Sequence, residues 1–544
     1  AVVASRIDHL SEESRDLLRK ASVFARSTFS AWELSLITEP KQEVLRDLEE
    51  EEFLVRDPER PGVWRFRHDT LRVVTYETLS KRDRLRLHLQ LADGISASEE
   101  ADRYPQVIAY HLAQASRASR DLEPADRTVP DRAVKALAKA ADIARRRMES
   151  RTAIDLYQRA LEVAGPDRGW GKREGRILAG VGEARYWLGD FEQSHADLSH
   201  ALEVAGGDVW TRTHALRFLA DITLNVRGDP DRATDLFEQA LTAAGELGDS
   251  FAMARTLLMA AWAPYWRKDL ATSRSMFEGA LQIARQNPEG DRWAEARALV
   301  SLTSVISPEG DEEECLELGL QGLRLGRAMD DPFTIAVADE AVGNSLRRMM
   351  RLDEAEPYLD EAVRTFRDLG ARWELASALS DRADIYRLSG RLQAAEADLQ
   401  ESLEVSRHLG ERSLIRWTAR ELVRVYLAQG MREPTQRILD DPTAWVEVGD
   451  IESNWSRAFA EMVSALHDGD RDRALECAAE ILRLATEEGW PNALAADVWW
   501  VGNVFGPEVV GGEEVLEAAR QRLEAAHWYQ ALREPELVPG LEPA

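Results

Sequence analysis

The 544 residues carry a formal net charge of −28, with 31% charged and 44% hydrophobic side chains. So large an acidic surplus argues against nonspecific binding to DNA, RNA or an anionic membrane, and no unbroken apolar run reaches the roughly 18 residues a bilayer-spanning helix needs. Cys315 and Cys477 lie far apart without Cys-x-x-Cys spacing, which speaks for a reducing, cytoplasmic compartment and against a disulfide framework or a zinc site.

The chain starts Ala1-Val-Val-Ala-Ser-Arg6, with neither Met nor the apolar core of a signal peptide, and reads as a cut from within a longer protein. Ser11-Glu12-Glu13 opens a helix expected to run to about Ala25, with acids in its first turn. Ser30-Ala-Trp-Glu33 is a capping box for a second helix, and Pro40 starts a third that ends near Glu51. The hydrophobic period then changes to two. Phe53-Leu-Val-Arg56, a turn through Asp57-Pro-Glu-Arg-Pro61-Gly62, and Val63-Trp-Arg-Phe-Arg67 make a β-hairpin. Three helices and a hairpin describe a winged helix over 1–81. Helices continue through 82–130, and a polar, proline-marked stretch from Arg117 to Pro130 is expected to be a joint.

Beyond that point one phrase recurs: a tight turn, then a helix with small residues at its opening and seven positions on, and an aromatic or Leu between them. Gly228-Asp-Pro-Asp-Arg-Ala233…Phe237…Ala240 is the clearest copy. The small opening residue falls at Ala153, Ser194, Ala233, Ser273, Cys315, Ala355, Ala395, Thr435 and Ala474, a period of about 40 residues. A fixed period of this length marks a solenoid, because one helical hairpin cannot bury its apolar face alone and must stack on neighbours. The preceding helices carry a matching signal, small Gly182, Gly343 or Ala383 followed by Leu346, Tyr386 or Tyr426. These features resemble the tetratricopeptide repeat in a longer variant, across roughly 132–488 with a weaker tenth hairpin to about 530. The resemblance implies an all-α, right-handed superhelical array of nine to ten hairpins over 131–530, preceded by the small α+β winged helix and followed by a flexible tail at 531–544.

A second resemblance rests on Phe66-Arg67-His68-Asp69-Thr-Leu-Arg-Val-Val-Thr-Tyr76-Glu-Thr-Leu79 and Arg82-Asp-Arg-Leu-Arg-Leu-His88. With Arg6-Ile-Asp-His-Leu-Ser-Glu-Glu-Ser-Arg15, it is similar to the winged-helix segment of bacterial STAND-class ATPase regulators, some of which also carry a class III nucleotide cyclase domain. The resemblance implies that His68 and Asp69, with Arg67 adding charge, sense ATP or ADP in a parent protein. The bland reading is that His68 caps or packs the hairpin and Asp69 is an N-cap. The sequence contains no Gly-x-x-x-x-Gly-Lys-Ser/Thr phosphate loop, so no ATPase core and no nucleotide cofactor is expected within it.

Numbering back from each opening residue places Arg255, Trp262, Tyr265 and Trp266 on the inward face of one first helix. It places Asn344, Arg347 and Arg348 on another, Arg387 on a third, and Trp417, Arg420 and Arg424 on a fourth. Arginines and large aromatics on one curved face suit a protein or peptide partner, an acidic one given the arginines. The competing reading has Trp262 and Trp417 filling the space between repeats and the arginines pairing with Glu421 or Asp384. No catalytic constellation and no metal site is expected; His467-Asp468-Gly469-Asp470 reads as an inter-helix turn, and His88 and His111 as packed rather than catalytic residues. The function expected is the sensor and protein-interaction arm of a STAND-type regulator, controlling an ATPase or cyclase module outside this sequence. The alternatives are a free-standing scaffold and a DNA-binding regulator acting through the winged helix, whose third helix is acidic where a recognition helix needs bases.

Overall fold

The computed structural model describes residues 6–24, 28–99, 101–122, 126–165, 171–267, 269–286, 290–445, 451–488 and 491–533. They fall into two compact units, Ala1–Val181 and Gly182–Ala544.

In the first unit the local signals act as expected. Ser11 accepts the Ser14 amide at 3.1 Å and starts helix Glu12–Ala21, with Glu12 and Glu13 in its first turn. Ser30 and Glu33 form the reciprocal capping box of helix Ala31–Ser35: Glu33 N donates to Ser30 Oγ at 3.1 Å, and Ser30 N to Glu33 Oε2 at 2.7 Å. Helix Gln42–Glu50 follows. The sheet has three strands, β1 (Thr28–Ser30), β2 (Leu54–Arg56) and β3 (Val63–Phe66), in the order β1-β3-β2 with both pairings antiparallel. The hairpin was legible, but β1 was not: three residues are too short to show a period of two. Its Phe29 pairs with Trp64 across the ladder and stacks on Phe24 at 5.3 Å, so the sheet and the helices share one core with Leu18, Leu34 and Leu45. Helices Asp69–Glu77, Lys81–Ser96, Pro105–Leu122, Thr128–Arg146 and Ser150–Ala164 follow, and the unit ends inside helix Gly171–Trp187. The stretch 117–130, expected to be polar and proline-marked, is largely helical. Apart from 123–125, which lie outside the described residues, helix occupies most of it, because Ala115, Ser116, Ala118 and Ser119 are buried on a helical face.

The second unit is a row of helical hairpins. Helices Pro332–Arg348 and Leu352–Leu369 form one, Arg372–Leu388 and Leu392–Leu409 the next, and first helices begin 40 residues apart at Pro332, Arg372 and Arg412. The small opening residues are buried along the whole series, from Ala153 and Ser194 to Thr435 and Ala474. Where they carry a polar atom, it is used. Ser194 Oγ donates to the Gly182 carbonyl at 2.7 Å and Ser273 Oγ to the Ala261 carbonyl at 2.8 Å, while Cys315 Sγ lies 3.6 Å from the Thr303 carbonyl, always 12 residues back on the partner helix. A Cβ at Gly182 would sit 2.5 Å from Leu198, and one at Gly343 2.7 Å from Leu359, so glycine there sets how closely the two helices of a hairpin approach. The turns between helices need a left-handed residue, and Gly228, Gly390, Gly430 and Gly469 supply it; Met350, with φ +58°, does so without glycine's freedom.

The row does not stay linear. Near its end the chain returns to its middle: Asn492 Nδ2 donates to the carbonyls of Ser307 (2.9 Å) and Gly310 (3.1 Å), and Glu312 N donates to the Ala526 carbonyl at 3.1 Å. His527 Nδ1 lies 2.5 Å from Asp311, and Arg347 donates to Gln530 at 2.6 Å. Trp187 packs edge-on against Phe333 at 5.3 Å. Residues 531–533 finish helix Tyr529–Arg533 rather than starting a tail, and 534–544 lie outside the described residues.

Candidate functional site

The return of the chain turns what the sequence suggested as a groove into a chamber of about 530 Å3. Its wall comes from the first helix of successive hairpins, or the residues just past its end, and from the C-terminal segment. Six indoles face it, Trp262, Trp266, Trp373, Trp417, Trp455 and Trp528, together with Tyr265; Arg347, Arg348, Arg420, Glu411, Asp497 and Gln530 supply the charged and polar wall. A smaller cavity of about 160 Å3 shares Asn225, Trp262, Trp266, Trp373 and Glu411 with the larger one and reaches Tyr186, Asp221 and Arg297.

Arg347 and Arg420 are held by hydrogen bonds to neighbouring side chains. Arg347 donates to Asp384, to Gln530 Oε1 at 2.6 Å and to Asn344 Oδ1 at 3.1 and 3.2 Å, while Gln530 Nε2 donates to Asp384 at 2.8 Å. Burial alone would raise the Asp384 carboxyl, but the guanidiniums of Arg387 and Arg347 hold it well below the usual carboxylate range. Arg420 lies between two indoles, 4.1 Å from the Trp417 ring centroid and 4.8 Å from that of Trp455, and its Nε donates to Glu421 at 3.0 Å. This is a cation–π sandwich anchored by an ion pair. Trp455 Nε1 in turn donates to Asp497 at 2.8 Å. Burial pushes the Glu374 carboxyl of the smaller cavity up to about 7.

Trp262, Tyr265, Trp266, Arg347, Arg348, Trp417 and Arg420 are thus brought together at one chamber. The other four residues placed on that face from sequence are not in its wall. Arg255 lies over the Trp293 ring at 4.6 Å and pairs with Asp291 at 3.4 Å. Asn344 donates to Asp381 at 2.6 Å. Arg387 is buried against Asp384, and Arg424 pairs with Glu421 at 3.1 Å. Each of these four is taken up by a neighbouring carboxylate instead. Sequence reasoning missed Trp373, Trp455, Trp528 and Gln530. Trp455 was within reach, since it follows Trp417 by close to one repeat; Trp528 and Gln530 come from beyond the periodic region, where no pattern announces them.

Elsewhere, Arg67, His68 and Asp69 are all exposed. His68 occupies the N-cap position of helix Asp69–Glu77 without a capping side-chain bond, and Asp69 is that helix's first residue rather than its cap, accepting from Arg72 at 2.9 Å. Arg67 pairs with Glu52 at 3.4 Å. Among the described residues one group, Asp311, Glu313 and His527, brings metal-ligating atoms within 4.8 Å of one another, and its His527–Asp311 contact already ties the C-terminal segment down. Among them, too, no helix is long and apolar enough to cross a membrane.

A tetratricopeptide repeat family model matches residues 334–408, in the middle of the second unit. A search of curated protein sequences gives no match. Among solved structures, the chain is similar to a Signal Transduction ATPase with Numerous Domains (STAND) protein with a tetratricopeptide repeat sensor from Pyrococcus horikoshii. The identity is 14% and the TM-score 0.46, over 78% of this chain and 61% of that one. This chain therefore spans less than two thirds of that protein's length. It is also similar to a Rap protein complexed with Competence and Sporulation Factor (14% identity, TM-score 0.42, 74% and 97% of the two chains). A third likeness is to aspartyl phosphate phosphatase F from Bacillus subtilis (13%, 0.40, 65% and 94%).

Proposed function

We propose that this chain is the sensor and interaction arm of a STAND-type regulator, and that the chamber of the second unit receives the partner or ligand it senses. One observation carries the reading: six indoles and three guanidiniums from hairpins spread over much of the second unit converge on one cavity. A tetratricopeptide-type row has no need of this for stacking, since its core is already filled by the small residues and by Leu198, Phe237, Leu359 and Leu399. Tryptophan and arginine are also the side chains that dominate interaction hot spots. The three short helices and three-stranded sheet of the first unit support a winged-helix adaptor, and exposed Arg67, His68 and Asp69 suit contact with a nucleotide held by an upstream module. Occupation of the chamber acts by favouring one arrangement of such a regulator over another, as any population shift requires.

The test is affinity capture from the native cytosol with the wild-type chain and a Trp373→Ala/Trp417→Ala double variant. Both indoles are more than one third exposed, so their loss empties no buried core; Trp417→Ala also removes one face of the Arg420 sandwich, and circular dichroism checks that the variant keeps its fold. A partner that depends on the chamber drops by about tenfold or more in the variant; an identical set of partners from both proteins, with no small molecule bound by the wild type either, removes the reading. Reversing Arg347, Arg387 and Arg420 instead would strand Asp384 and Glu421 as unpaired buried charges and test only folding. The chain alone is expected to turn over neither ATP nor cyclic-nucleotide precursors, and measurable turnover would contradict the sensor assignment.

A further inference from the structure

The three guanidiniums of the chamber are not equivalent. The side chains of Arg347 and Arg420 are only 5% and 8% exposed, and both donate hydrogen bonds to neighbouring side chains. Arg348 is different. Its side chain is 31% exposed, and it lines the chamber. Its ion-pair partner Glu312 stays 3.5 Å away and fully buried, and Arg348 donates no hydrogen bond among the described residues. The Glu312 oxygen that faces Arg348, Oε1, already takes the Ser307 hydroxyl, and Oε2 has no hydrogen-bond partner among those residues. A guanidinium presents five donors in a planar fork matched to a carboxylate. At Arg348 that fork opens into an aromatic cavity, beside the Trp528 ring at 5.8 Å.

Two alternatives fit less well. A cationic ligand would seek bare indole faces and an acid, but Arg420 already covers Trp417 and Trp455. The two lining acids already receive donors, Glu411 from the Leu414 amide at 2.7 Å and Asp497 from Trp455 at 2.8 Å. A folded peptide segment is poorly served by a cavity of about 530 Å3. That volume lies in the range that encloses single small organic molecules, about 300–1,000 Å3.

Taking the chamber as the sensing site, as above, we propose that it binds a small aromatic carboxylate, with the acid group on Arg348 and the ring held among the indoles beginning with Trp528. The flat ring packs against the indole faces, and the carboxylate takes hydrogen bonds that Arg348 does not make among the described residues.

Three probes of one shape test this on the full chain: 2-naphthoate, neutral 2-naphthamide, and the cation trimethyl(2-naphthyl)ammonium, by calorimetry and quenching of tryptophan fluorescence. Naphthoate is expected to bind about tenfold or more tighter than the other two. Arg348→Gln is expected to erase that preference while leaving naphthamide binding within about threefold of wild type. Arg348→Lys, which keeps the charge but not the fork, falls between. Equal binding of the three probes, preference for the cation, binding of none, or an acid preference that survives Arg348→Gln each overturns the proposal. If Arg348→Gln fails to fold, the wild-type preference and Arg348→Lys still decide. Absent naphthoate binding, together with partner capture that depends on Trp373 and Trp417, defeats the aromatic acid alone and leaves the sensor arm standing; loss of both defeats the two together.

Discussion

His88 and His111 show how far burial can move a single side chain. They touch through their Nδ1 atoms at 2.9 Å inside the first unit, and the Tyr76 hydroxyl lies 3.0 Å from His88 Nε2. Burial lowers both, His88 to about 3 with help from the His111 and Arg84 charges, and His111 to about 4. The folded unit therefore keeps them neutral where the unfolded chain would take up protons, near pH 6.5. Their contribution to stability is complete above that value and is lost as pH falls toward the folded-state values, at up to about 1.4 kcal/mol per pH unit for each ring. Hydrogen exchange in helices Lys81–Ser96 and Pro105–Leu122 is expected to speed up between pH 6.5 and 4.5, and His111→Leu to flatten that dependence; a slope unchanged by the substitution would refute the account. Helical periodicity indicated that these two are packed, and nothing in it indicated that they meet. The same limit applies at the chamber. Register put Arg347 and Arg387 on one face with equal weight, but the carboxylates of Asp384 and Glu421 decide which arginine reaches the cavity and which stays behind it, and the Arg347–Asp384 and Arg387–Glu421 contacts cross between repeats.

Among the elements, the hairpin was the most legible feature because its rule is steric and repeats. Small residues at Ser194, Ala355 and Ala395 permit close approach, and the Leu four residues on, at Leu198, Leu359 and Leu399, fills the space; all six are buried. Strand β1 and the helix through 117–122 were not legible, the first being too short for a pattern and the second reading as polar because its buried face is made of Ala and Ser. Gly343 tests the steric rule against helix propensity. In an exposed helix, Gly→Ala gains about 1 kcal/mol. Here the added Cβ would lie 2.7 Å from Leu359 Cγ and 3.0 Å from its Cδ2, in a site with no slack. Gly343→Ala should therefore lose about 1–3 kcal/mol in denaturant unfolding, and a neutral or stabilising result would show that the hairpin does not depend on this approach.

For the second unit as a whole, the consequential departure from a simple repeat array is its closure. A solenoid whose repeats touch only their neighbours behaves almost one-dimensionally, and its ends fray independently of its middle. Here Asn492, fully buried, spans more than 180 residues of chain to hold the Ser307 and Gly310 carbonyls, and it accepts from Arg522 at 2.9 Å. Arg522 reaches the Glu309 carbonyl at 3.3 Å, and His527 contacts Asp311. These bonds place Trp528 and Gln530 in the chamber wall, so the site exists only while the end of the array is docked. Asn492→Ala strands the buried Ser307 acceptor and the part-buried Gly310 acceptor, at a cost of about 1–3 kcal/mol per buried group left unsatisfied, while the exposed Arg522 can turn to water. That cost should appear as local opening rather than global unfolding, because the hairpins upstream keep their own cores. Hydrogen exchange is expected to rise across 491–533 and around 307–312 while helices Val209–Asn225 and Pro230–Leu247 keep their protection. Tryptophan emission should shift to the red as Trp528 leaves the chamber, and naphthoate affinity should fall although Arg348 is intact. Uniform loss of protection along the unit would mean that closure stabilises the whole array; unchanged protection at 491–533 would mean that the docked end is held by something other than Asn492.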